Sequence, residues 1–395
     1  MLFEPLEPNE RFRARREAAR RRKRRRRSAL VGILLTGVLG LAAGAKVVTG
    51  EQHLAQTAKP AKPKPAWPQP RAFPAEVRGV HVTMALASLD GKFDEYLDLT
   101  TEGLNTIELD IKDENGEVGF VPSAVPLATK VGAARPYYKP RQLARAAHAR
   151  GVYLIGRVVM FEDPRLSEGR PDLAIHNPNG SVWHNDAGLG WTNPYDRRVW
   201  DYNVSIAEVA ARAGFDEIQF DYVRFPSDGD VQNIVYPGKT ATPPGWVIAE
   251  FVNYAALRLK PLGVRVSTDV FGLAATRDLG IGQVPRRLSK YVDAIYPMVY
   301  PSHFGPGEFQ LDDPNAEPGE TVQFALSHFR RELRPSKAML IPWLQDFSYG
   351  RTYGPADVQA QIAAARQMGA KGYLLWNPLG LYTPGALAPA PRSAG

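Results

Sequence analysis

The feature that most restricts how this chain can fold is an alternation repeated eight times between residues 79 and 376. A short run of β-branched or aromatic residues is followed each time by an amphipathic stretch or a loop. Strands are expected over residues 79–84, 106–112, 152–160, 217–225, 264–271, 294–300, 338–344 and 372–376. Helices are expected over residues 141–150, 197–213, 246–260, 284–291, 321–333 and 356–368. Several of these close on a glycine, at Gly151, Gly214, Gly263 and Gly369, where a left-handed cap fits. Eight strand–helix units in succession favour a closed parallel (β/α)8 TIM barrel over an open sheet. Pro297 and Pro342 speak against regular pairing in strands six and seven, because proline has no N–H to donate.

The barrel is expected over residues 78–383, followed by an Ala/Pro-rich disordered tail at 384–395. Residues 1–28 form a basic tail whose arginines account for most of the net charge of +8, so the folded part is near neutral and a nucleic-acid groove is not expected. Residues 29–48 carry an uncharged apolar run, which reads as a transmembrane helix or as the apolar core of a signal peptide. The arginines beside it place that end in the cytoplasm and the barrel on the exported side of a membrane, tethered or released after cleavage. A Pro/Lys-rich linker over residues 49–77 reads as an extended spacer. The absence of cysteine excludes disulfides, thiolate metal sites and a cysteine nucleophile.

Ionisable residues gather at the C-terminal ends of the expected strands, the end that faces ligand in barrels. The fourth strand is the most telling. In FDEIQFDYVRFP, residues 215–226, Gln219 and Asp221 stand where a buried strand should be apolar. Asp221, Asp269 and Asp110 are the candidate catalytic carboxylates; Arg157, Gln219, Arg224, Tyr296, Tyr300, Asp346 and Trp376 are the candidate substrate-binding residues. Glu162 reads as a mobile acid or a solvated side chain, and His303 as an isolated histidine at the same mouth. Carboxylates with aromatics suit glycan chemistry, because acetal cleavage needs a proton donor and a second carboxylate, while aromatic faces stack on sugar rings. No metal is expected, since paired-histidine and EF-hand patterns are missing, and no nucleotide cofactor, since no P-loop or GxGxxG follows a strand.

FDEIQFDYVRFP resembles a motif of the putative glycosyl hydrolase domain family, as do RGVHVT at 78–83, LDIKD at 109–113, GRVVMF at 156–161 and AIYPMVYP at 294–301. The resemblance implies a (β/α)8 fold, a polysaccharide or oligosaccharide ligand and Asp221 as the acidic position of strand four. It departs from the DxxDxDxE pattern of chitinase-like barrels: Asp216 and Asp221 remain, whereas Gln219 and Val223 replace two acids. An amylase-like placement of acids after strands four, five and seven corresponds to Asp221, Asp269 and Asp346. Two functions therefore stay open, a glycoside hydrolase acting on a cell-envelope or extracellular polysaccharide and a non-catalytic glycan-binding barrel.

Overall fold

The computed structural model describes residues 70–390. The basic tail, the apolar segment and most of the expected linker lie outside the described residues. Among the described residues, nine strands form one closed parallel sheet: β1 (Val77–Val82), β2 (Thr106–Lys112), β3 (Tyr153–Val159), β4 (Glu217–Asp221), β5 (Arg265–Phe271), β6 (Ala294–Val299), β7 (Met339–Leu340), β8 (Trp343–Gln345) and β9 (Gly372–Trp376). The sheet runs from β5 through β1 to β9, β8 and β6, and β6 pairs back onto β5. Because β7 and β8 are halves of one stave, the barrel has eight staves, consistent with a TIM barrel.

The two strand prolines have different outcomes. Pro297 stays inside β6, paired with Val270 of β5, while the seventh stave pairs with β6 only on either side of it, at residues 294–295 and 298–299. Pro342 splits the seventh stave, yet its carbonyl still accepts a hydrogen bond from the Leu374 N–H at 3.0 Å. Strand four is shorter than expected. It ends at Asp221 because Tyr222 adopts φ 48°, a left-handed conformation that stops the ladder.

The helices around the sheet include α1 (Lys92–Asp98), α2 (Pro140–Ala149), α3 (Arg197–Ala213), α4 (Pro244–Leu259), α5 (Pro285–Leu288), α6 (Pro318–Leu333) and α7 (Pro355–Gln367). All of these but α1 and α3 open on proline, whose missing N–H falls among donors a helix start leaves unpaired. In α3 the Asp196 carboxylate accepts the Arg198 N–H, and Gly214 at φ 114° caps the other end. The α5 helix is a single turn, shorter than the expected 284–291. No helix among the described residues is long and apolar enough to cross a membrane.

The fourth strand is held from outside by aromatic packing. Phe251 of α4 lies edge-on to Phe220 of β4, Phe161 after β3 and Trp200 of α3, at 5.3, 5.6 and 5.6 Å between ring centres. Asp216 clamps the opposite, N-terminal end of this strand, accepting the N–H groups of Leu154 and Arg71 at 2.8 and 2.6 Å. Phe73 packs edge-on to Tyr153 there, so ordered packing begins within the expected linker. It also extends into the expected tail, where Ala386 and Leu387 are buried and Ala386 accepts the Tyr373 hydroxyl at 2.6 Å.

Closure between β9 and β1 depends on Gly372. At φ 120° its backbone passes so near β1 that a Cβ would lie 2.0 Å from the Val77 carbonyl oxygen. Gly372→Ala should therefore destabilise the barrel by about 2 kcal/mol or more. Urea unfolding followed by circular dichroism tests this, and a midpoint equal to wild type would count against it.

Candidate functional site

A cavity of about 540 Å³ opens at the C-terminal end of the barrel. Its polar walls include Arg157 from β3, Asp221 from β4 and Asp269 from β5, and its aromatic walls include Trp343 from β8, Trp376 from β9 and Tyr300 after β6. These side chains meet because parallel strands carry their C-terminal ends to one mouth. The cavity falls within the size range usual for small-molecule sites.

Arg157 is the organising cation. Its Nε and Nη2 donate to Oδ2 of Asp221 at 3.0 and 2.7 Å, and its Nη1 donates to Oδ1 of Asp110 at 2.8 Å. The register explains the contact, for Arg157 pairs with Asp110 on one side and Gln219 on the other. The left-handed turn at Tyr222 brings its own N–H to Oδ1 of Asp221 at 2.7 Å. Asp221 is thus held in place by a buried guanidinium and a backbone donor.

Asp269 occupies a different environment. Its Oδ1 accepts from Gln219 Nε2 and from the Trp343 indole N–H, the latter at 2.7 Å, and both donors are neutral. Burial raises this carboxyl well above the usual carboxylate range, the charge of Asp221 raises it further, and the Trp343 hydrogen bond does not reverse the balance. One cavity therefore holds an ion-paired carboxylate and a carboxyl whose pKa is raised by burial.

The remaining candidates separate by position. Tyr300 and Trp376 line the cavity, with the Trp376 ring 6.0 Å from the Arg157 guanidinium carbon. Asp110 is buried as a partner of Arg157 and is not among the lining residues. Gln219 acts through Asp269. Tyr296 is fully buried in a core cluster with Tyr153 and Ile155. Asp346 accepts the Thr383 N–H and hydroxyl at 2.8 and 2.6 Å, which ties down the C-terminal segment. Arg224 is stacked among Trp191, Tyr222 and Phe271, with its guanidinium carbon 4.9, 4.9 and 4.8 Å from their ring centres. It donates to the Phe225 carbonyl and Ser227 Oγ, both at 3.1 Å, and so shapes the loop after β4.

Sequence reasoning passed over His81. It is buried on β1, its Nδ1 contacts Glu108 and its Nε2 lies 3.7 Å from Asp110. Burial opposes protonation of this imidazole, but the Glu108 and Asp110 carboxylates outweigh it and raise the pKa. The signal was period-2 alternation on two neighbouring strands: His81 pairs with Glu108 in the β1–β2 register, and Asp110 follows two residues later on the same face. Among the described residues no group of three or more His, Asp or Glu side chains is placed to hold a metal ion.

A family model for the putative glycosyl hydrolase domain matches residues 79–382. The chain belongs to that family. Comparison with curated proteins finds no match. Among solved structures, the PgaB (BpsB) glycoside hydrolase domain from Bordetella bronchiseptica superposes with a TM-score of 0.57 at 14% identity, covering 78% of this chain and 95% of that one. An endo-1,4-β-D-mannanase from Thermotoga petrophila gives 0.53 at 12% identity, covering 76% and 88%. A hypothetical protein from Ruminiclostridium thermocellum is 35% identical over 48% of this chain and 97% of its own, with a TM-score of 0.44. At their low identities, the first two likenesses speak to the barrel fold.

This glycosyl hydrolase domain keeps one more buried acid beside the cavity. Glu162, expected to be mobile or solvated, is only 3% exposed and accepts from Asn185 Nδ2 at 2.9 Å. Burial pushes its carboxyl up to about 8, with Arg224 opposing and Glu114 adding to the rise. Below pH 4.5, the ordinary value for glutamate, folded and unfolded chains are both protonated at this residue. Between there and about 8 the unfolded chain releases a proton that the folded chain retains, so this group's contribution to stability falls as pH rises. Glu162→Gln should therefore gain stability over wild type progressively from pH 5 to 8, by at most about 1.4 kcal/mol per pH unit. Melting curves of both proteins across that range test it, and a constant difference would refute the assignment.

Proposed function

We propose that this chain is a glycoside hydrolase acting on a cell-envelope or extracellular polysaccharide, with Asp221 and Asp269 as its working carboxyls. The observation that carries this reading is the contrast between them: Asp221 is paired with Arg157, whereas Asp269, in the same cavity, accepts its hydrogen bonds from the neutral side chains of Gln219 and Trp343. Glycosidic cleavage needs such a division, one carboxyl delivering a proton to the leaving oxygen and one carboxylate facing the anomeric carbon. In this scheme Asp269 is the acid. Asp221 is the nucleophile in a retaining reaction or the base that activates water in an inverting one. Trp343, Trp376 and Tyr300 supply aromatic walls for sugar rings.

The arginine-rich and apolar segments before residue 50 support placing the barrel on the exported side of a membrane, where envelope glycans are met. The second reading, a barrel that binds glycan without cleaving it, draws on Gln219 and Val223 at positions where chitinase-like barrels carry acids.

The two readings part on turnover. Purified full-length protein is incubated with β-1,4-mannan, α-1,4-glucan, β-1,4-glucan and β-linked N-acetylglucosamine polymers and oligomers, and new reducing ends are counted. Cleavage by wild type should fall at least about 10²-fold in Asp221→Asn and in Asp269→Asn, with circular dichroism unchanged. Cleavage that survives Asp221→Asn would remove that residue from the mechanism. Binding without new reducing ends over the whole panel would favour the non-catalytic barrel.

A further inference from the structure

The cavity continues outward along an aromatic track. Tyr300 and His303 line its wall, and their rings are 5.5 Å apart. Phe347, in the loop after β8, lies 5.9 Å from Tyr300 and 6.0 Å from His303, and Tyr349 lies 5.9 Å beyond His303. Exposure grows along the track, from half-buried Tyr300 and Phe347 to exposed His303 and to Tyr349, which is 65% exposed.

A single exposed aromatic is ordinary on a protein surface. Tyr349 differs in how firmly its backbone is held. It forms a tight bridge with Arg351 around Gly350, and its carbonyl accepts from Asn315 Nδ2 at 2.9 Å. Arg351 Nε donates in turn to the Asn315 carbonyl at 2.7 Å, and its Nη2 to Asp357 Oδ1 on α7 at 2.6 Å. The loops after β6 and β8 and the start of α7 thus brace an exposed ring on the rim of the cavity. A ring carried on a backbone held in this way binds a flat apolar face without the cost of ordering its loop.

Resting on the hydrolase reading above, we propose that Tyr349 and His303 form an outer subsite that stacks on hexopyranose units of the same glycan chain, several units from the bond at Asp221 and Asp269. A cavity of about 540 Å³ encloses only a short stretch of such a chain, so a polymer leaves it at the mouth, and the aromatic track is continuous with that exit. The subsite gives the enzyme a preference for long chains.

The test compares wild type with Tyr349→Ala and Tyr349→Phe, using the same glycan panel. On a glycan that is cleaved, Tyr349→Ala should raise KM for chains of six or more sugars by roughly threefold to tenfold, leave dimers and trimers unchanged, and leave kcat unchanged. Tyr349→Phe should restore the wild-type KM. Equal losses on short and long chains, or no loss on either, overturn the subsite. Migration through native gels containing each polymer reads the same contact without turnover: weaker retardation of Tyr349→Ala supports it, and equal migration, including no retardation of either protein, overturns it. Failure of the hydrolase reading alone appears as retardation that depends on Tyr349 without any new reducing ends.

Discussion

The site depends on one buried cation serving more than one carboxylate. Arg157 donates to both Asp110 and Asp221, and its Nε lies 3.8 Å from Glu108. Desolvating such charges is expensive, and only close geometry with several hydrogen bonds repays it. Removing the guanidinium would leave carboxylates uncompensated in the barrel, a loss of about 3 to 5 kcal/mol for a typical buried pair. Because the planar fork reaches across β2, β3 and β4, the same interaction that balances the charge also sets where Asp221 stands. A lysine would supply the charge without that fixed geometry.

Burial and the neighbouring carboxylates raise the pKa of Asp269, and Arg157, which makes no hydrogen bond to it, does not offset them. Asp269 receives hydrogen bonds from Gln219 and Trp343, which stabilise an anion less than a cation does. The residue that in chitinase-like barrels would be a second acid on β4 is here Gln219, and its amide is spent on Asp269. The substitution that argues against a chitinase-like strand therefore belongs to the environment that separates Asp221 from Asp269. Binding alone does not require that separation, whereas proton transfer to a leaving oxygen does.

Much of the barrel was legible because strand alternation and helical period are local signals. The helix over 197–213 is observed at the expected bounds, and all eight staves lie where the β-rich runs stand. The end of strand four was not legible, since the left-handed turn at Tyr222 has neither glycine nor asparagine to announce it. At the site, strand-end position pointed to Asp221, Asp269 and Arg157, all of which line the cavity, but it could not distinguish a residue that lines the mouth from one that supports it. Asp110 and Tyr296 lie on strands of the same barrel as Asp221 and Tyr300, and only the three-dimensional register sorts them. Glu162 was harder still, because its burial arises from the folding of the loop after β3, through Asn185 and Trp191, which no periodic pattern encodes.

The same division between local and distant causes bears on the loops. The rim near Arg224 is assembled from β4, β5 and the loop after β3, and it packs Arg224 tightly among three aromatic rings. The adjoining rim, after β6 and β8, leaves its aromatic rings increasingly exposed while bracing their backbone. A closely packed rim and, beside it, a stiff rim of exposed aromatics give the mouth two unlike edges. The difference follows from which loops spend their aromatics on packing and which leave them to solvent, and only the second kind offers rings to a linear ligand at the mouth.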